Sequence, residues 1–185
     1  SGVQFSPNGT QVAYVSDAGG QARVWIARAD GSGARAMDSL KATRMDAPRW
    51  SPDSRSLVVA AAVGGYYQLH LLDVVRDKAE KLTTDEADER VPAWSRDGRW
   101  IYYGSTRGAV VIEVAGGPLV RGARWQLWRR PAPGQRNADP EQITTDGGFA
   151  AQESLDGNTL FFTRPDRPGL FARPTRGAGD DLLVS

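Results

Sequence analysis

The side chains best suited to chemistry are few and badly spaced for it. One imidazole, His70, lies between Leu69 and Leu71 in an alternating run, which reads as a partly buried structural position. Gly104-Ser105-Thr106-Arg107-Gly108 offers a serine among glycines, but the serine directly follows the first glycine and no strand-to-helix context surrounds it, so it fails the nucleophile-elbow pattern. A hydrolase needs a nucleophile, a base and an orienting group, and these residues assemble no such set. The run Asp85-Glu86-Ala87-Asp88-Glu89 could give calcium hard oxygen ligands, yet it lacks EF-hand spacing and reads first as a solvated acidic loop. Gly116-Gly117-Pro118 has neither the lysine nor the following helix of a phosphate loop. The expectation is a chain with no catalytic residue, no metal ligand set and no cofactor.

Charge and composition narrow the classes further. Lys plus Arg (23) and Asp plus Glu (22) nearly cancel, which removes the broad positive field of a nucleic-acid binder, so no direct nucleic-acid binding is expected of this segment. Arg121, Arg124, Arg129, Arg130 and Arg136 form a local excess, but strand alternation separates Arg129 from Arg130 and the group reads as solvated surface. There is no cysteine, hence no disulfide framework or thiolate site, and one histidine cannot build a histidine-rich zinc site. No apolar run approaches the roughly 18 residues that span a bilayer, and the first residues fall inside a repeat, so the segment reads as a soluble piece of something longer, with no membrane insertion.

The elements that position these residues are announced by one recurring phrase. Phe5-Ser6-Pro7-Asn8-Gly9, Trp50-Ser51-Pro52-Asp53-Ser54, Trp94-Ser95-Arg96-Asp97-Gly98 and Glu153-Ser154-Leu155-Asp156-Gly157 begin at intervals of 45, 44 and 59 residues. Strand-like repeats of about 40 to 50 residues point to propeller blades. Each unit reads as an inner strand, a turn, two apolar strands and a polar outer strand, as in Ala47 to Trp50, Arg55 to Ala62, Tyr66 to Asp73 and Lys78 to Thr83. The expected fold is all-β, a propeller array with blades near 1–39, 40–84, 85–145 and 146–185. Aromatic residues at matched places, among them Tyr14, Trp25, Trp50, Trp94, Tyr102, Trp128, Phe161 and Phe171, are expected to wedge between blades.

The phrase, followed by an apolar strand, a glycine loop, a second apolar strand and an outer strand ending in Leu82-Thr83 or Ile143-Thr144, resembles the WD40-like repeat of TolB-type propellers. Ser54 replaces the turn glycine, Arg96 and Leu155 replace proline, and Glu153 replaces the aromatic, departures expected to loosen single turns. The stretch from Gly147 to Gly157 and on through Gly169 to Pro174 resembles the C-terminal blades of CadC-like winged-helix transcriptional regulators. That resemblance implies a bacterial sensor or protein-docking module held outside the cytoplasm, in the periplasm or an equivalent space. Similar repeats also form the gating domain of prolyl oligopeptidase-type serine peptidases and the TolB envelope scaffold, and these readings stay open.

The TolB-type resemblance implies closure with more blades than the four counted here, so either further blades complete the ring or copies pair as a homodimer. The long third interval is explained by residues 109–123, read as a hairpin with arms at Val110 to Val114 and from Leu119, around an Ala115-Gly116-Gly117 turn. The hairpin sits between the second and third strands of its blade, on the rim that links blades and that the resemblance makes ligand-facing. The residues expected to meet a small ligand or protein partner there are Asp46, Arg90 and Phe149, at equivalent places before successive inner strands. Gln152 and Glu153 are expected deeper along the same path, and Val111, Ile112 and Leu119 on the hairpin.

Overall fold

The computed structural model describes residues 2–18, 20–108, 112–114, 117–119, 125–135, 138–176, 179 and 181–184. These residues form strands and no helix. Blade one comprises β1 (Gln4–Phe5), β2 (Gln11–Ser16), β3 (Arg23–Arg28) and β4 (Arg35–Ala36). Blade two comprises β5 (Arg44–Met45) and β6 (Arg49–Trp50), which pair with β7 (Ser56–Ala62), then β8 (Tyr67–Asp73) and β9 (Lys78–Lys81). Its inner strand is thus broken in two, where a single strand from Ala47 was expected. Blade three has β10 (Glu89–Trp94) and β11 (Trp100–Ser105), then a separate pair β12 (Ile112–Val114) and β13 (Gly117–Leu119), then β14 (Gln126–Pro131) and β15 (Glu141–Gln142). Blade four has β16 (Phe149–Glu153), β17 (Thr159–Arg164), β18 (Arg167–Pro174) and β19 (Leu182–Leu183). All pairings are antiparallel and run in chain order within each blade, the propeller-blade meander.

The recurring phrase makes the same turn four times. The serine hydroxyl donates to the Asn or Asp side-chain oxygen two residues on, at 2.7, 2.6, 2.7 and 2.5 Å for Ser6, Ser51, Ser95 and Ser154. The same hydroxyl accepts the N–H five residues on, at 2.9–3.0 Å, which starts the second strand. The Ser154 hydroxyl, followed by the Asn158 backbone and side chain, lowers the Asp156 carboxyl to about 2. The fourth position of each turn is left-handed: Gly9, Gly98 and Gly157 have φ near 70°, and Ser54 takes φ 61°. The departure at Ser54 therefore keeps the turn geometry rather than loosening it, and its hydroxyl also accepts the Asn8 N–H of the neighbouring turn at 3.2 Å.

Seams between blades hold the core. Ala13, Val24 and Ile26 of blade one pack on Trp50, Leu57 and Val59 of blade two; Val58, Ala60 and Leu69 pack on Ile101 and Tyr103 of blade three; Tyr102 and Leu127 pack on Leu160, Phe162 and Phe171 of blade four. Hydrogen bonds fix each seam at the inner strand. The Trp50 indole donates to the Gln4 carbonyl and the Trp94 indole to the Arg49 carbonyl, both at 3.1 Å. At the third seam Glu153 stands in the tryptophan place, and its carboxylate accepts the Arg96 N–H and the Tyr102 hydroxyl, both at 2.7 Å. Burial, then this carboxylate, holds the Tyr102 phenol above its ordinary range, so it remains a donor. Tyr14, Trp25 and Phe161 are half-buried and lie outside the three seam clusters of the described residues.

Removing the seam bonds tests this account. Trp50→Phe and Trp94→Phe are expected to cost about 0.5–1.5 kcal/mol each, the net worth of one hydrogen bond. Glu153→Ala strands the buried Tyr102 hydroxyl and removes the acceptor of the Arg96 N–H, and is expected to cost about 2 kcal/mol or more. Urea unfolding with an unchanged m-value measures the order, and a Glu153→Ala loss below that of both indoles would reject the strut role.

Candidate functional site

Each inner strand pairs with one neighbour only, so its other edge turns away from the blade. The edges of the four inner strands lie side by side around a groove of about 360 Å³. Gln4, Arg49, Val91, Pro92, Ala150 and Gln152 line it, and it runs on to the turn residues Pro7, Pro52 and Arg96. The cavity thus opens toward the turns, whereas the sequence pointed to the blade-linking rim.

The inner strands are irregular where they border the groove. The β10 register shifts between Arg90 and Ala93, and the β16 register shifts between Phe149 and Gln152. At each bulge one residue is left-handed, Val91 with φ 49° and Ala150 with φ 52°. Such a backbone costs a non-glycine residue about 1–2 kcal/mol, and a β-branched valine sits there only if its surroundings hold it. Asp46 does so. Its carboxylate accepts Arg90 Nε at 3.1 Å, Arg90 Nη2 at 2.6 Å and the Val91 N–H at 3.3 Å. The Arg90 guanidinium lies 4.4 Å from the Tyr67 ring centroid, and that of Arg44 lies 5.2 Å from it.

The structure therefore joins two of the three rim residues picked from sequence. Phe149 lies on the next seam, edge-on to Trp125 with ring centroids 4.9 Å apart. It presses on Gly104, where a Cβ would come within 2.5 Å of its ring, so Gly104 is held to glycine by close approach. Gln152 is exposed in the groove, and Glu153 is the buried strut already described. Ile112 and Leu119 sit opposite each other in the β12–β13 pair, and Gly117 belongs to the second arm rather than to the turn. Val111 lies outside the described residues, as do Arg121, Arg124 and Arg136.

The acidic loop is not simply solvated. Glu89 is fully buried, and Arg107 bonds it at 3.1 Å, also contacts Asp85, and stacks 4.6 Å over the Trp128 ring. Burial is the largest effect on Glu89 and pushes its carboxyl above the ordinary range, with Arg107 pulling the other way. Asp88 accepts the Tyr67 N–H at 2.8 Å. Among the described residues no group of three acidic or imidazole side chains gathers as a metal site would require. His70 is buried, with Nδ1 3.0 Å from the Gln68 carbonyl oxygen, and burial lowers its pKa. The residues that sequence reading missed are Arg49, Val91 and Ala150 in the groove, Arg44 and Tyr67 beside Arg90, and Arg107 on the acidic loop. Only Val91-Pro92 carried a signal, since proline inside a strand marks an edge or a bulge.

Glu89 yields a test with a definite sign. Its folded carboxyl holds a proton more tightly than the unfolded chain does, so its contribution is fully present below the ordinary glutamate range and is lost as pH rises through the raised folded value. Glu89→Gln is expected to remove that falling slope. The difference in urea-unfolding free energy between parent and variant, followed from about pH 4 to about pH 8, reads it, and a flat difference rejects it.

Comparison with known proteins comes to the same fold. The chain is similar to the uncharacterized peptidase YuxL of Bacillus subtilis, with 26% identity over 137 residues that cover 54% of this chain and 21% of that protein. The structure of putative TolB from Agrobacterium tumefaciens matches with a TM-score of 0.76 and 22% identity, covering 97% of this chain and 64% of that one. A prolyl endopeptidase structure matches with a TM-score of 0.64 and 14% identity, covering 99% of this chain and 28% of that one. The chain therefore spans less than two thirds of each of these relatives. Among the described residues no helix is long and apolar enough to cross a membrane. The model of the TolB beta propeller domain, PD40, matches residues 2–118, well over half of the chain, and the chain belongs to that family.

Proposed function

We propose that this chain is a non-catalytic binding module of a larger protein, and that it takes an extended protein segment or a small ligand in the groove between its inner strands. The observation that carries this is the groove itself, with unpaired strand edges, the polar ends of Arg49 and Gln152, and the apolar floor of Val91, Pro92 and Ala150. The side chains that could otherwise do chemistry are engaged elsewhere: His70 bonds a carbonyl, and the buried Ser105 hydroxyl accepts the Arg107 N–H at 3.0 Å. On the likeness of residues 147–174, the module is the extracytoplasmic sensor part of a bacterial transcriptional regulator, and a TolB-like envelope scaffold is the same binding role in another setting. Neither assignment adds a cofactor.

A second reading is the gating propeller of a prolyl oligopeptidase-type serine peptidase, which the match to YuxL favours. The parent sequence separates the two: an α/β-hydrolase domain decides for the peptidase, whereas a winged helix and one membrane span decide for the regulator.

The groove is tested by selecting binders from a random-peptide library on the intact chain. Gln152→Lys and Arg49→Glu are expected to weaken the selected peptides at least tenfold without moving the unfolding midpoint. Peptides indifferent to both substitutions would reject the groove as the site.

A further inference from the structure

Two residues after its serine, the recurring turn carries Asp53, Asp97 and Asp156 in blades two to four, but Asn8 in blade one. Asn8 is also followed by Gly9, whereas the chain's other asparagines, Asn137 and Asn158, precede Ala138 and Thr159. An asparagine before glycine is chemically labile, because a residue without Cβ lets its own backbone nitrogen reach the preceding side-chain carbonyl carbon. The reaction needs only water. The Gly9 nitrogen gives its proton to solvent and bonds Asn8 Cγ, the Cγ–Nδ2 bond breaks, and the amide nitrogen leaves as ammonia, so that a cyclic succinimide remains. Water then opens the ring at either carbonyl, giving aspartate or isoaspartate, with nothing oxidised or reduced.

The folded turn restrains both reacting groups. The Gly9 N–H donates to the Ser6 carbonyl at 2.8 Å, so a nitrogen that lost its proton would face that oxygen's lone pairs. Asn8 Oδ1 accepts the Ser6 hydroxyl at 2.7 Å, the Thr10 N–H at 3.1 Å and the Thr10 hydroxyl at 2.8 Å, which fixes the side-chain amide. We propose that Asn8 is a site of spontaneous deamidation that the folded turn holds in check, so that it reacts when blade one opens and leaves two products of opposite fate. Aspartate reproduces the turn of the other blades, where Asp53, Asp97 and Asp156 each accept the serine hydroxyl and the N–H two residues on in the same way. Isoaspartate instead routes the backbone through Cβ and Cγ and lengthens it between positions 8 and 9. Gly9 is then displaced from the Ser6 carbonyl, and the bond from the Asn8 N–H to the Ser54 hydroxyl, which joins the first two turns at 3.2 Å, is lost with the turn. One product leaves the blade as it was, and the other damages the first seam. The site stands apart from the groove, which Asn8 does not line.

Incubation of the intact chain in mildly alkaline buffer tests this, with deamidation followed by mass spectrometry of the peptide that carries Asn8 and isoaspartate measured by enzymatic methyl labelling. The chain held in urea above its unfolding transition is expected to react at least about tenfold faster than the folded chain, as for a turn open in fewer than about one molecule in ten. Ser6→Ala and Thr10→Val each remove a donor to Asn8 Oδ1, and each is expected to raise the folded rate by about 2 to 10 times, the worth of one hydrogen bond, while leaving the rate in urea unchanged. Thr10→Val, at an exposed position, carries the test if Ser6→Ala does not fold. Asn8→Asp is expected to keep the parent's unfolding midpoint, and the purified isoaspartate form to fall below it. Equal rates in the folded and unfolded chain, or a folded Thr10→Val variant that reacts no faster than the parent, overturn the proposal. An isoaspartate form as stable as the parent overturns it as well.

Discussion

The structure depends on the hydrogen bond and packing contact that the last residue of the second, third and fourth inner strands makes with the blade before it. A four-stranded sheet of this kind is apolar on both faces and cannot bury either one alone, so its stability resides in its neighbours. Trp50 and Trp94 meet this constraint by inserting a large ring and bonding a backbone carbonyl of the preceding inner strand. That single contact sets the spacing of the inner strands and thereby shapes the groove. Glu153 shows that the place can be filled by other chemistry, provided the buried carboxylate finds donors, and Tyr102 and the Arg96 N–H supply them.

The seams differ in how they are held, and the differences follow the side chains. The first is almost wholly aliphatic, built on Val24, Ile26, Met37, Leu57 and Leu72. The second adds a buried acid, Glu89, and the half-buried Arg107 to a mixed aliphatic and aromatic cluster. Burying ions in this way is costly unless each is paired, and the Tyr103 hydroxyl beside them has no hydrogen-bond partner among the described residues. The charge pair therefore adds directional constraint to the second seam more than it adds stability. Arg90 and Asp46 add a further tie at the channel end of the same seam, and this one also holds Val91 in its left-handed conformation.

The fold was legible because its signals are local. A serine that bonds two residues ahead and five residues ahead needs no tertiary context, so the four phrases mark their turns wherever the chain goes. Period and strand order followed from them. The candidate site was less legible because it is made by register and by neighbours 44 or more residues away. Asp46 and Arg90 were singled out because they precede successive inner strands, but nothing in the sequence said that one would clamp the other. Glu89 looked like part of a solvated acidic run, and only the alternation of β10 turns it inward, opposite Ser105. Ala150 gave no sign at all, since its left-handed backbone is imposed by a bulge. Ser54 was read as a defect because glycine suits its place better, and the turn simply carries the strain.

The small pair β12–β13 has a consequence for how this protein changes over time. Among the described residues it pairs only with itself, and the strands on either side keep an unbroken register, from Trp100 opposite Pro131 to Ser105 opposite Gln126. The entropy of closing a longer loop grows only logarithmically, so a detour of some fifteen residues costs little once the flanking strands are fixed. The join between Ser105 and Gln126 therefore behaves as a cassette position. Related chains are free to gain, lose or replace whole segments there while the blade that carries them stays the same.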